Sequence, residues 1–422
     1  MRRVILPMLA GLLTAATAHG GDESATLRLT AVVEEARSAN PEILAARERA
    51  AAAAAVPARV FAYDDPMFAY EAWNFPESFR LDQAGNNILK LSQKIPFPGK
   101  RTTARAAAEH DAGRAREAVG RAELGVVASA RKAYYDLWRA HQNLLIYSRD
   151  RELVERLARI SERRYAVGEV SQPDVLRAQV ELTRLLNRVA TETLAVDSAR
   201  AELNAILSRS PDDPLGVPED PPDPRLDVSV EALTGRALRD RPEIRAQRET
   251  IEREEAMVRM ARLDYLPDFE VTVSRFLNFE APNGFGVMGA VSIPLAWKSK
   301  YDAALAEARA LLGVAKAELR RLEDRARREV RQEYLRARTA LLQYDLFVTT
   351  HIPQSEQALE ASDIGYRTGK IDFLSLIDSV RAVEEVHLEH IEAAAEFGKA
   401  VADLERVVGG ELSAAEGDGA KG

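Results

Sequence analysis

The sequence predicts a mainly α-helical protein with a small β part, made of long antiparallel coiled-coil hairpins and four β-strands. Three observations predict this fold class. The 422-residue chain repeats itself once, each copy ends in apolar residues spaced by seven, and each copy contains two segments in which apolar and polar residues alternate. A composition of 46% hydrophobic and 29% charged residues is typical of a folded chain.

Residues 1–18 are predicted to be a secretory signal peptide. Arg2 and Arg3 form a positive end, residues 4–16 are mostly apolar but too short to cross a bilayer, and small residues at 16–18 suit cleavage. The alternative is a buried first helix. An exported chain without cysteine has no disulfides and no thiolate metal site, and we expect no lipid anchor.

Charge and hydropathy exclude two classes of protein. The net charge is -8 with both signs interleaved, so no basic block indicates nucleic-acid binding. After residue 18 no apolar run approaches 20 residues, which excludes a transmembrane helix. If the chain enters a membrane, it must therefore do so as strands of a closed barrel.

The duplication is visible in motifs that recur at a nearly constant offset. Asn40-Pro41-Glu42-Ile43 returns 201 residues later as Arg241-Pro242-Glu243-Ile244, and Tyr-x-x-Gly at 165–168 returns at 366–369. The order is kept for every matched motif, which favours tandem copies over coincidence. We predict a first repeat at 19–208, a proline-rich linker at 209–228, a second repeat at 229–409 and a disordered tail at 410–422. The linker should be a stiff, extended connector, because proline lacks the amide donor and fixes its backbone angle.

Each repeat is predicted to end in a coiled-coil helix. Apolar residues recur every seven positions, which favours a coiled coil over a helix of a globular bundle. In the first copy the main seam consists of Val175, Leu182, Val189, Val196 and Leu203. In the second copy it consists of Leu376, Val383, His390, Phe397 and Leu404.

A longer helix is predicted before each of these, at 102–165 and at about 301–366, with Pro353 as a kink in the second. At 1.5 Å per residue the first would extend about 90 Å. Gly168 and Gly369 should end these helices, and Ser171 and Asp372 can cap the next ones.

Four strands are predicted before the long helices, at 67–75, 89–95, 269–274 and 285–293. Their alternation suits a tilted barrel strand with one face toward lipid. Four strands cannot close a barrel, which needs about eight, so several chains would have to share one. The alternative is a soluble four-stranded sheet.

From these features the chain resembles the outer-membrane factor (TolC) family over about residues 27–409. The resemblance rests on the duplicated strand-strand-helix-helix order, the Pro-Glu-Ile openings and the Tyr-x-x-Gly tips. Ile95-Pro96-Phe97-Pro98-Gly99-Lys100-Arg101 is similar to the strand-to-helix junction of the heavy-metal (CzcC/CusC-like) branch.

The resemblance implies a homotrimer whose twelve strands form one outer-membrane β-barrel in lipid, above a helical α-barrel in the periplasm of a Gram-negative bacterium. Its partners would be a periplasmic adaptor (membrane fusion) protein and an inner-membrane pump of the RND type, with no nucleic acid. The implied function is the passive exit duct of a tripartite efflux system for heavy-metal cations. The alternatives are a duct for drugs or other small molecules, and a periplasmic coiled-coil adaptor.

The family's closed end carries acidic residues six and nine positions after the second tip glycine, which places Ser375 and Asp378 there in this chain. Asp174 and Arg177 are the corresponding residues of the first copy. We hypothesise that these four form the channel aperture, with Arg177 as a partner of Asp378. Adaptor docking is expected at the hairpin tips, at Gly168, Val170, Gly369 and Ile371.

The sequence carries none of the common motifs of catalysis. There is no glycine-rich phosphate loop and no nucleophile elbow, so no enzyme activity and no cofactor are expected. His387 and His390 lie one helical turn apart, but only His390 is on the heptad seam. We therefore expect no metal site there and interpret His390 as a polar seam residue that sets helix register.

Overall fold

The computed structural model describes residues 26–74, 77, 84–278 and 282–412. The predicted signal peptide and residues 413–422 of the predicted tail lie outside these ranges. The described helices are α1 Leu29–Ala39, α2 Pro41–Phe61, α3 Lys100–Ala166, α4 Gln172–Ile206, α5 Val230–Asp240, α6 Pro242–Leu263, α7 Asp302–Leu346, α8 Ile352–Arg367 and α9 Phe373–Val408. The described strands are β1 Thr26–Leu27, β2 Met67–Trp73, β3 Asn86–Ile95, β4 Val217–Pro218, β5 Phe269–Asn278 and β6 Gly284–Val291.

Seven of the described helices stack into four long columns, and the short helices α1 and α5 pack beside them, α1 against α3 and α5 against α7 and α9. α3 is one continuous helix of 67 residues. α7 continues into α8 through a π turn at Phe347–His351, directly before the predicted kink at Pro353. The end of α4 meets the start of α2, and the end of α9 meets the start of α6, so each of these pairs forms one further column.

The columns stand side by side as a wall. α3 contacts both the α2/α4 column and the α6/α9 column, and α7 and α8 contact the α6/α9 column from its other side, whereas α4 and α9 scarcely touch. The order is therefore α2/α4, α3, α6/α9, α7/α8. The α2/α4 and α7/α8 columns form the two edges of the wall within the chain.

The predicted heptad seams are buried over part of their length, whereas Val175, Val189 and Val383 are half-buried. Leu203 of α4 and Leu376 and Leu404 of α9 are at most 1% exposed. The long helices and hairpins confirm the predicted fold class, because α4 packs along α3, and α9 along α3, α7 and α8, rather than around a compact centre.

The linker between the repeats is extended, and it is also packed against the wall. Its residues Val217–Pro218 pair in parallel with Thr26–Leu27, two short strands that the sequence did not predict. The hydroxyl of Tyr134 on α3 donates to the carbonyl oxygen of Glu219 at 2.9 Å and lies 3.2 Å from the carbonyl oxygen of Leu27. A single buried tyrosine thus fastens the N-terminal segment and the linker to the longest helix.

The four predicted strands form one antiparallel sheet in the order β2-β3-β5-β6, so that β3 and β5 join the two repeats. Its alternation is inverted relative to a soluble sheet. In β5, Val271 and Val273 are 40% and 45% exposed, whereas Thr272 and Ser274 are 2% and 8% exposed. The hydroxyls of Thr272 and Ser92 bond across the polar face at 2.8 Å.

No helix in the part of the chain that the structure describes combines the length and apolar character needed to cross a membrane.

Candidate functional site at the hairpin tips

Both hairpins turn at a glycine in the left-handed conformation. Gly168 has a φ of 77° and Gly369 a φ of 73°. Any residue with a side chain would be strained in this backbone conformation. Each glycine is followed by a 6→1 backbone bond that closes the helix end, from Glu169 to Arg164 and from Lys370 to Gly365, at 2.8 Å in both. The predicted turns are therefore built alike.

The next helix begins at each tip with the same hydroxyl–carboxylate pair in reversed positions. Ser171 caps α4, and its hydroxyl donates to the Asp174 carboxylate at 2.8 Å. Asp372 caps α9 and accepts from the Ser375 amide at 2.9 Å and the Ser375 hydroxyl at 2.6 Å. These bonds lower the pKa of Asp372, with a smaller contribution from the charge of Arg177.

The four predicted aperture residues have different partners within the chain. Asp174 and Ser375 take part in helix capping, and Arg177 lies 3.8 Å from Asp174. Asp378 remains 58% exposed and lies 3.6 Å from Arg381. Within one chain Arg177 pairs with Asp174, three residues before it on the same helix face, so the pairing of Arg177 with Asp378 stays a prediction about the aperture.

The four predicted docking residues also differ in accessibility. Gly168 and Gly369 are exposed, whereas Val170 and Ile371 are half-buried. The side chain of Ile371 packs against Gly365 of α8. A Cβ added to Gly365 would lie only 3.3 Å from Ile371 Cγ1. Val167, which is 71% exposed, is the apolar side chain that the first tip presents to solvent.

The sequence analysis missed a buried charge cluster that joins the two hairpins above the tips. Glu181 on α4 is 1% exposed and pairs with Arg381 on α9 at 2.5 Å. Arg184 on α4 pairs with Glu384 on α9 at 3.0 Å. In the sequence these residues resemble ordinary surface pairs, since each acid has an arginine three residues away on its own helix, and that spacing carries no signal of a contact between repeats.

Burial acts on this cluster in two directions. Burial alone would raise the pKa of Glu181. The hydrogen bond from Arg381 and the charge of Arg184 outweigh burial, so the pKa of Glu181 is lowered. Burial raises the pKa of Glu384 in spite of Arg184. Burial, with the nearby Glu384 charge, also raises the pKa of Asp150 on α3 to about 6.

His387 and the seam residue His390 both lie on α9, but their side chains do not converge. His390 stacks on Tyr344 with ring centroids 4.9 Å apart, while His387 Nε2 lies 3.4 Å from Glu356. Within the described ranges, no group of three or more potential ligands is arranged to hold a metal ion.

Similarity to known proteins identifies the family of this chain. The sequence profile of the family described as "Outer membrane efflux protein" matches residues 32–209 and again residues 233–410, two segments that begin 201 residues apart. The chain belongs to the outer membrane efflux protein family. The predicted family resemblance is thereby confirmed, and the two matched segments carry the two hairpins and their tips.

Several individual proteins are similar to this chain over most of its length, but at low sequence identity. The cobalt-zinc-cadmium resistance protein CzcC of Cupriavidus metallidurans is 22% identical over 331 residues, which cover 76% of this chain and 77% of CzcC. The solved structure of CusC, 15% identical, has a TM-score of 0.78 and covers 92% of this chain and 93% of its own. That of the outer-membrane channel OprN, 19% identical, has a TM-score of 0.76 with coverages of 97% and 98%.

Proposed function

We propose that this efflux protein is the exit duct of a tripartite efflux system in the outer membrane of a Gram-negative bacterium, and that three copies close into one tunnel. The observation that carries the proposal is the pair of open edges on the chain. The sheet strands and the helical columns follow the same order. At one edge of the described part of the chain, β2 and the α2/α4 column therefore have no neighbour on their outer side, and at the other edge β6 and the α7/α8 column have none.

The sheet supports insertion in lipid. Its exposed face is apolar, with Phe285 and Val287 of β6 76% and 77% exposed. Such a face suits contact with acyl chains, because the polar residues of each strand then line an aqueous interior. β2 and β6 would otherwise leave their backbone groups unsatisfied in lipid, so a further copy must pair with each.

The helical edges carry exposed apolar residues at matching heights above the tips. Leu176 and Leu194 of α4 are 52% and 69% exposed, and Ile364 of α8 and Leu346 of α7 are 58% and 48% exposed. Counted from the tips, Leu176 is level with Ile364 and Leu194 with Leu346. Such stripes suit a head-to-tail contact between copies, which forms a closed ring when the rotation is right. Closure at three would give the twelve strands that the family resemblance implies.

The tips would then meet at the periplasmic end of the tunnel. There the exposed Asp378 carboxylates of three copies would face the opening, flanked by Arg177, Asp174 and Ser375. A periplasmic adaptor would dock on the turns around Gly168 and Gly369, with the half-buried Val170 and Ile371 setting their shape, and would link the duct to an inner-membrane pump of the RND type. The chain would supply a water-filled path and perform no reaction.

Heavy-metal cations are the proposed cargo, since the curated relative CzcC carries cobalt, zinc and cadmium resistance in its name. Other small molecules are the second candidate, because the fold is about as similar to OprN as to CusC. A periplasmic adaptor is less well supported, because it would have no use for an outward apolar sheet.

Metal tolerance tests the cargo and planar-bilayer conductance tests the duct. A deletion strain should regain growth on zinc, cobalt or cadmium when it is complemented with the chain, but should not regain growth on organic toxicants. The purified protein should give stepwise single-channel currents. Currents without metal tolerance would refute the cargo alone, whereas a protein that inserts in bilayers without conducting would refute the duct.

A further inference from the structure

A cavity of about 470 Å³ lies beneath the linker, on the side of the wall formed by α3, α7 and α9. The linker prolines at 221, 222 and 224 cover it, and α3 and α9 form its floor. Its volume lies in the range that small-molecule sites occupy, about 300–1,000 Å³. It is far from the tips, so the proposed aperture and adaptor-docking residues do not account for it.

The walls of this cavity are aromatic. They are formed by Tyr135, Trp138, Tyr344, His390 and Phe397. Burial raises the pKa of Tyr135 and Tyr344 and lowers the pKa of His390, on which the charge of His387 acts in the same direction. All five rings are therefore neutral near pH 7, and none repels a cation.

Two carboxylates stand at the mouth. Asp220 accepts hydrogen bonds from Trp138 Nε1 at 2.9 Å and Gln142 Nε2 at 2.7 Å, both through its Oδ1. Asp223 lies close enough to raise the pKa of Tyr344 by its charge. Arg225 is the cationic side chain of the lining, which leaves the mouth with one net negative charge.

The cavity is also lined by a histidine with a buried ring nitrogen. His390 Nε2 is buried, and among the described residues it has no hydrogen-bond partner. A neutral imidazole can accept through this atom when its proton is on Nδ1. An orphaned polar atom of this kind is costly unless a ligand or water satisfies it.

We propose that the cavity is a binding site for a small organic ammonium ion with an apolar body. The apolar body fits among the rings, the charge is held by cation–π contact and by Asp220 and Asp223, and one N–H reaches His390 Nε2. This proposal does not depend on the proposed transport function, because binding of the ammonium ion is measured on the purified chain.

Quenching of Trp138 fluorescence measures binding directly. The chain has three tryptophans, and Trp73 and Trp297 are exposed, so a Trp73→Phe, Trp297→Phe background leaves Trp138 as the only reporter. 2-Phenylethylammonium should quench it saturably. The neutral 2-phenylethanol, of the same size, should bind at least about tenfold more weakly, because it lacks the charge that the rings and carboxylates stabilise. Equal binding of the two probes would overturn the proposal.

Substitutions locate the site. Asp220→Asn with Asp223→Asn keeps the acceptor for Trp138 and should weaken ammonium binding roughly tenfold. Asp212→Asn, an exposed linker residue outside the cavity, should leave it unchanged. His390→Phe should weaken 2-phenylethylammonium but not benzyltrimethylammonium, which has no N–H to donate. If the Asp220 and Asp223 pair proves dispensable, the proposal is wrong. Size-exclusion elution checks each variant's assembly, and the comparison of the two probes remains decisive should a variant not fold.

Discussion

The side-chain amide of Asn40 joins two helices that are distant in sequence. Its Nδ2 donates to the carbonyl oxygen of Ile206 at 2.9 Å, at the end of α4, and its Oδ1 accepts from the Glu42 amide at 2.9 Å, at the start of α2. In the second repeat Arg241 occupies the position 201 residues later, and Gly409 in a left-handed conformation lies against its backbone. The same joint is thus built by different residues in the two copies.

Asn40→Ala should loosen this joint locally. It removes a cap and leaves the Ile206 carbonyl unpaired, a loss of about 1–2 kcal/mol. Hydrogen exchange should then speed up about tenfold in the first turn of α2 and the last turn of α4. Asn40→Asp keeps the cap but not the amide donor, so its hydrogen-exchange rates should lie between those of the wild type and of Asn40→Ala. Unchanged exchange in both turns would show that Asn40 does not hold the column together.

Gly398 allows α9 to pack against the ring of Tyr135 on α3. A Cβ at this position would overlap the atoms of the ring. Gly398→Ala should therefore lower the Tm, at a cost of about 1–3 kcal/mol for overpacking. Gly313→Ala is the matched control, because nothing lies within 4 Å of its Cβ position, and it should raise the Tm slightly. Equal effects of the two changes would contradict the close packing.

Asp150 should make stability depend on pH. Its folded-state pKa of about 6 lies above the ordinary aspartate pKa of 3.8, so its ionisation favours the unfolded state. The penalty is absent below the unfolded value, grows as pH rises toward 6, and stays constant above it. Asp150→Asn removes the penalty, and the Tm of the variant should exceed that of the wild type at about pH 8 but not at about pH 4. Asp345→Asn, an exposed change on α7, should show no such dependence. A gain that is the same at both pH values would contradict this account.

Asp378 should set the ion preference of the proposed aperture. Three carboxylates brought together attract cations, so Asp378→Asn should reduce cation selectivity and weaken block by divalent cations in single-channel recordings. Asp324→Asn, whose side chain is 78% exposed on α7 far from the tips, should leave both unchanged. If selectivity and block survive Asp378→Asn, Asp378 is not at the constriction.

Much of the fold could be predicted because the sequence patterns are local and repeated. Alternation at 269–274 and the heptads of α4 and α9 depend only on residues near one another, so strands and hairpins were predicted from them. The stacking of α4 on α2 was not, because the bond from Asn40 to Ile206 spans 166 residues and leaves no periodic signal.

The candidate site could be predicted less well. The sequence identifies Ser171 and Asp372 as caps, but it did not lead us to predict their hydrogen bonds with Asp174 and Ser375, three residues later, which that spacing permits. The cavity beneath the linker was missed, because prolines predict an extended chain but not the surface on which it lies.

Disulfide cross-linking across the two edges tests the three-copy tunnel most directly, and the chain has no cysteine to interfere. Leu194 of α4 and Leu346 of α7 both lie about 30 Å above the tips, on opposite edges of the wall. Leu194→Cys with Leu346→Cys should place one cysteine of each copy within bonding reach of the next, at a Cα separation of about 6 Å.

Leu145 on α3 supplies the control, because it lies at the same height and is 61% exposed, but on a column inside the wall. On oxidation, the Leu194→Cys, Leu346→Cys variant should give a non-reducing ladder of one, two and three chains that ends at three. The Leu145→Cys, Leu346→Cys variant should give one chain. A ladder that stops at one or two chains, or that continues beyond three, would contradict the tunnel of three copies.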